Sequence, residues 1–92
     1  MTFRPAKKLL HDATKNRRIH LTDKETAVLK YLYRSDTAVN QQILMHEVWG
    51  YNSAVTTHTL ETHIYRLRQK IEKDAAMPEI LVTEAGGYKL VP

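Results

Sequence analysis

The sequence predicts one α+β domain over residues 1–92, with three helices bracketed by antiparallel strands at both ends of the chain. Three observations lead there. Short β-prone stretches flanked by turn residues occupy about positions 1–21 and 80–91. Between them, about positions 22–73 carry apolar residues at helical spacing, opened by capping residues and punctuated by a glycine. A chain of 92 residues with no cysteine supports one small core and excludes disulfides and thiolate metal sites.

In the first third, Lys8–Asp12 and Arg17–Leu21 read as strands joined through the polar stretch Ala13–Asn16. Pro5 has no N–H to donate, so Phe3 and Arg4 can form only an edge strand or a lead-in. Thr22 followed by Glu25 is a capping box: each side chain can satisfy the backbone N–H of the other. Val28, Leu29, Leu32 and Tyr33 then recur at helical spacing to about Arg34. Asn40 is a good N-cap for a second helix over about Gln41–Trp49, and Gly50 ends it. Tyr51–Thr56 is a loop. A third helix spans about Thr57–Lys73, with Leu60, Ile64, Leu67 and Ile71 in a stripe roughly 60° wide. Ile80–Thr83 and Tyr88–Val91 read as a closing hairpin through Glu84, Ala85, Gly86 and Gly87.

The third helix carries the functional reading. Opposite its apolar stripe stand His58, Thr62, Tyr65 and Gln69, with Thr59 and Arg66 to one side and Glu61 and Arg68 to the other. A merely solvated face is usually Glu and Lys in i, i+4 pairs, whereas this one mixes Thr, His, Tyr, Gln and Arg. Such side chains carry the donors, acceptors and apolar edges that read bases in a major groove wide enough for one helix. Arg68, Lys70 and Lys73 suit phosphates, which position a protein without specifying sequence. The net charge of +4 agrees with a polyanion partner but is modest.

Other functions fare worse. No two of the five histidines stand three or four apart, so a helical metal ledge is missing, and His58 and His63 point to different faces. No phosphate-cradling glycine loop or nucleophile elbow occurs, so neither an enzyme nor a cofactor is expected. No apolar run approaches the roughly 20 residues of a bilayer span, and the first residues lack a signal-peptide core, so a cytoplasmic domain without a membrane partner is expected.

Leu21–Glu25, Val48–Gly50, His63–Ile71 and Gly87–Tyr88 together resemble the OmpR/PhoB-type effector domains of two-component response regulators. The resemblance runs from about Phe3 to Val91. It implies a winged helix-turn-helix: an N-terminal antiparallel sheet, three helices and a C-terminal β-hairpin wing. It further implies sequence-specific binding of double-stranded DNA, with the third helix in the major groove and the wing near the minor groove. Thr62 and Arg66 would then meet bases, with Tyr65, Gln69 and His58 beside them on the same face. Trp49, Thr59, His63, Arg68, Thr83 and Tyr88 would contact or support the phosphate backbone, joined by Lys70. The loop holding Tyr51, Asn52 and Ser53 would meet RNA polymerase. An upstream receiver domain, phosphorylated by a histidine kinase, would promote pairing on tandem half-sites about one helical turn apart.

The chain departs from that pattern in four places. His58 stands where the family usually has Arg, so a fixed charge becomes a titratable one, and binding that strengthens toward pH 6 is expected if His58 or His63 faces phosphate. The stretch from Thr83 to Tyr88 is one residue shorter than the family's wing and lacks its Arg. Tyr65 replaces a small or basic residue, and the N-terminal sheet reads about one strand short. A domain of a longer regulator, monomeric in solution, is expected. The alternative is a winged-helix module that docks on protein without binding DNA, against which the basic third helix argues.

Overall fold

A computed structural model describes residues 2–12, 17–51 and 54–91. The expected strand connection at 13–16 and the loop residues Asn52 and Ser53 lie outside the described residues.

The chain begins with β1 (Thr2–Arg4), β2 (Leu9–Asp12) and β3 (Arg17–His20), an antiparallel sheet in that spatial order. Pro5 opens a single 3-10 turn over Pro5–Lys7, which leaves β1 at the sheet edge as the missing N–H requires. Phe3, Leu10 and Ile19 are aligned in register, and all three pack inward on the core.

Helix α1 (Asp23–Tyr33) starts at the expected capping box, with both of its reciprocal bonds formed. Its apolar side, Val28, Leu29 and Leu32, is buried. Helix α2 (Gln41–Trp49) is capped by the Asn40 side chain, which accepts from the Gln42 N–H at 2.8 Å. Both helices match their sequence-based bounds within a residue or so.

Helix α3 (Thr57–Ile71) lays its stripe of Leu60, Ile64, Leu67 and Ile71 fully into the core. Burying such side chains contributes about 1.5–3 kcal/mol each, so this seam anchors the helix and leaves His58, Tyr65, Arg66 and Gln69 on its exposed side. The helix stops two residues before the expected end at Lys73. Glu72 turns to extended backbone and is itself buried, its carboxylate accepting from the N–H groups of Glu79, Ile80 and Leu81. Three amides on one carboxylate outweigh one more helical turn.

The closing hairpin is β5 (Leu81–Glu84) with β6 (Gly87–Leu90), each shifted one residue from expectation. The shift arises because the turn is two residues, Ala85 and Gly86, both at positive φ (52° and 78°), rather than four. The expected two-stranded wing also gains a third strand. Val39 and Asn40 form β4, which pairs with β6, giving the order β4-β6-β5. Gly87 permits this: a Cβ there would stand 2.1 Å from the Val39 carbonyl oxygen.

Candidate nucleic-acid interface

The exposed side of α3 presents the side chains that the sequence singled out. His58, Tyr65, Arg66 and Gln69 are exposed, while Thr62 is half-buried. Thr62 donates its hydroxyl to the His58 carbonyl at 2.9 Å, so that group is held within the helix. Gln69 donates from Nε2 to the Tyr65 hydroxyl at 3.0 Å, coupling two of the proposed readers. Arg66 makes no hydrogen bond or ion pair among the described residues. Its guanidinium, with five donors, is therefore an uncommitted cation beside the line of His58, Thr62, Tyr65 and Gln69.

Along one flank of α3, His63 Nδ1 donates to the Thr59 carbonyl at 2.9 Å, as a carbonyl oxygen can only accept. The ring packs edge-to-face on Trp49 with centroids 4.9 Å apart. Trp49 ends α2, so α2 and α3 bring together two residues expected to meet the phosphate backbone.

On the other flank, Arg68 serves the protein itself. It donates from Nε to the Leu81 carbonyl and from Nη2 to the Thr83 hydroxyl oxygen, each at 2.9 Å. Its guanidinium carbon also lies 5.8 Å from the centre of the Tyr88 ring. Tyr88 is buried, and its hydroxyl accepts from Gln41 Nε2 at 3.2 Å. Arg68, Thr83 and Tyr88 thus join α3, the wing and the first turn of α2 into one assembly.

Lys70 is likewise committed. Its ammonium donates to Glu25 Oε1 at 2.6 Å and to the His20 carbonyl at 3.2 Å. Burial alone would raise the Glu25 carboxyl, but the Lys70 ammonium and the Thr22 N–H and hydroxyl together hold it below the usual carboxylate range. Sequence reasoning found Glu25 only as a capping residue. Glu25 and Lys70 are 45 positions apart, so no local spacing could have paired them.

Beyond the helix, Tyr51 is 91% exposed and stacks on His46 with ring centroids 4.3 Å apart. Thr83 and Glu84 are exposed on the wing, and its turn holds no cation. Among the described residues no cluster of three or more His, Asp and Glu side chains could hold a metal ion. None of their helices is long and apolar enough to cross a membrane.

Three helices, with the third seated on an apolar seam and flanked by an antiparallel wing, define a winged helix-turn-helix domain. The chain belongs to the family of C-terminal domains of transcriptional regulatory proteins, whose model matches residues 16–90. The DNA-binding response regulator MtrA of Mycobacterium tuberculosis is 38% identical over 85 residues, covering 89% of this chain and 37% of that protein. The transcriptional regulatory protein KdpE of the same species is also 38% identical over 85 residues, covering 90% and 36% respectively. Among solved structures, the response regulator DrrB of Thermotoga maritima, an OmpR/PhoB homolog, superposes with a TM-score of 0.75 at 31% identity, over 92% of this chain and 42% of that one. The chain therefore spans less than two-fifths of the length of these two curated relatives.

Proposed function

We propose that this domain binds double-stranded DNA sequence-specifically, as the effector part of a transcriptional response regulator. In this reading α3 lies in the major groove and the wing approaches the minor groove. The observation that carries it is the exposed, largely uncharged but donor-rich face of α3, with Arg66 uncommitted at its side. Arg66 is the main base contact, able to hold guanine in two-pronged fashion, with Thr62, Tyr65, Gln69 and His58 reading beside it. Trp49, Thr59 and His63 face the sugar-phosphate backbone. Arg68, Lys70, Thr83 and Tyr88 act there chiefly as supports, since their polar groups are already held by the protein. The wing contributes backbone and Lys89 rather than an inserted arginine.

The names of the relatives, a DNA-binding response regulator and a transcriptional regulatory protein, support a regulatory setting. In this reading a receiver domain lies upstream, a histidine kinase acts on it, and the domain pairs on tandem half-sites. The loop at Tyr51 is then the surface offered to RNA polymerase, its exposed ring being the support for that assignment.

The test is selection from a randomised duplex pool followed by fluorescence anisotropy. A short enriched motif is expected, and on it Arg66→Ala loses about 1–3 kcal/mol, with much less loss on random duplex. Equal losses on both would make Arg66 a phosphate contact. Failure to enrich any motif would favour a protein-docking module.

A further inference from the structure

Within the sequence Lys24 is one of two interior residues of a capping box, with no other apparent part. The fold gives it a different setting. Its ammonium donates to the Val48 carbonyl at 3.2 Å and lies 5.8 Å from the centre of the Trp49 ring. Trp49 in turn packs on His63, so the first turn of α1, the end of α2 and the flank of α3 converge at one place. There a cleft of about 500 Å³ opens between Thr22–Glu25 on one side and His63, Arg66, Gln69 and Lys70 on the other.

The charges in this cleft do not cancel. Asp23 is paired with Lys8, and Glu25 with Lys70, so each acid already has its own cation. Lys24 and Arg66 are left without an ion-pair partner among the described residues. Lys24 has three N–H groups, of which the Val48 carbonyl takes one. The ammonium is exposed but tethered, so less side-chain entropy is lost when it meets an anion. His63 adds a directed nitrogen. Its Nδ1 is fixed on the Thr59 carbonyl, leaving Nε2 as the free ring atom, a donor when the ring is protonated.

We propose that this cleft seats one backbone phosphate of the bound duplex, with Lys24 of α1 as its ammonium ligand beside Trp49 and His63. The inference rests on the DNA-binding reading of α3 and adds the first helix to the interface. A phosphate on Lys24 bridges α1 to the groove-reading helix from the outside, as Glu25 and Lys70 bridge them from within. Arg66, on the far rim, remains directed at the bases.

Salt-dependent titration of the selected duplex with the wild type, Lys24→Gln, Lys24→Arg and, as a control, Lys30→Gln tests this. Removing one phosphate contact lowers the slope of log K against log salt by about 0.9 and costs about five-fold in affinity near physiological salt. Lys24→Gln is expected to show that loss, Lys24→Arg to retain most of the slope, and Lys30→Gln to match the wild type. Duplexes with one uncharged methylphosphonate at successive positions add a second readout. At a single position, the lost charge and Lys24→Gln should be non-additive. Competition with inorganic phosphate at constant ionic strength separates a duplex phosphate from a site for the free ion. Selective competition abolished by Lys24→Gln, with an unchanged salt slope on DNA, would overturn the assignment. So would a Lys24→Gln slope equal to wild type with additivity at every position. If the wild type binds no duplex at all, the reading of α3 fails first and this inference falls with it.

Discussion

Glu25 holds two parts of the molecule with one buried carboxylate, accepting from the Thr22 N–H at 2.8 Å and from Lys70 at 2.6 Å. Its folded-state proton affinity lies below the ordinary value of 4.5, because those donors outweigh the opposing effect of burial. A depressed carboxylate stabilises the fold fully above its unfolded value, and that contribution disappears as pH falls through the folded one. Asp23, held low by its hydrogen bond to Lys8, acts in the same direction. Urea unfolding from pH 7 down to about 3 should therefore show stability falling at the acid end, with a shallower fall in Glu25→Gln. At neutral pH that variant should be less stable by about 1–3 kcal/mol, since Lys70 loses its charged acceptor. An unchanged acid limb would show that the pair does not govern it. The sequence displayed half of this residue: Thr22 three positions earlier announces a capping box, whereas the partner on another helix has no local signature. Arg66 and Tyr65 were legible for the converse reason. Their exposure follows from helical spacing alone, once the apolar stripe is known.

At the scale of elements, the helices were the readable part because caps and 3.6-residue periodicity are local. The β4 strand was not. Two residues, Val39 and Asn40, carry no period, and their pairing is set by Gly87 nearly fifty positions away. The bounds of β5 and β6 missed by one residue because Ala85 occupies a left-handed position where glycine or asparagine is the usual signal. That conformation costs alanine about 1–2 kcal/mol, so Ala85→Asn should raise thermal stability, by about 0.5–1 kcal/mol. Gly87→Ala should do the opposite, separating β4 from β6. A stabilised Gly87→Ala variant in a melting experiment would show that the close approach of the strands is not required. The wing's angle to α3 is set by Arg68, whose two bonds to Leu81 and Thr83 span the joint between them. Its place on the helix and the resemblance both pointed this arginine to phosphate; its hydrogen bonds show that it first ties α3 to the wing.

For the whole molecule, the buried set runs without interruption from Leu10 and Ile19 in the N-terminal sheet, through all three helices, to Leu81 and Tyr88 in the wing. A chain of this size with one core should unfold in a single cooperative step. Trp49 fluorescence and far-ultraviolet circular dichroism should give superimposable denaturant curves. Two separated transitions would mean that one sheet melts apart from the helices. The overall architecture was legible because one core suffices for 92 residues and the order of strands and helices left few arrangements. Glu72 has one further consequence. Its carboxylate closes the segment between the end of α3 and the start of β5, binding both ends of that excursion to a single atom group. Whatever chain runs between Lys73 and Pro78 is thus a bypass whose length the helix and the wing do not sense. Closing a longer loop adds only about 0.6 kcal/mol per doubling, so relatives can vary there, and a label or a tag can be threaded in, while α3 and the wing keep their mutual orientation.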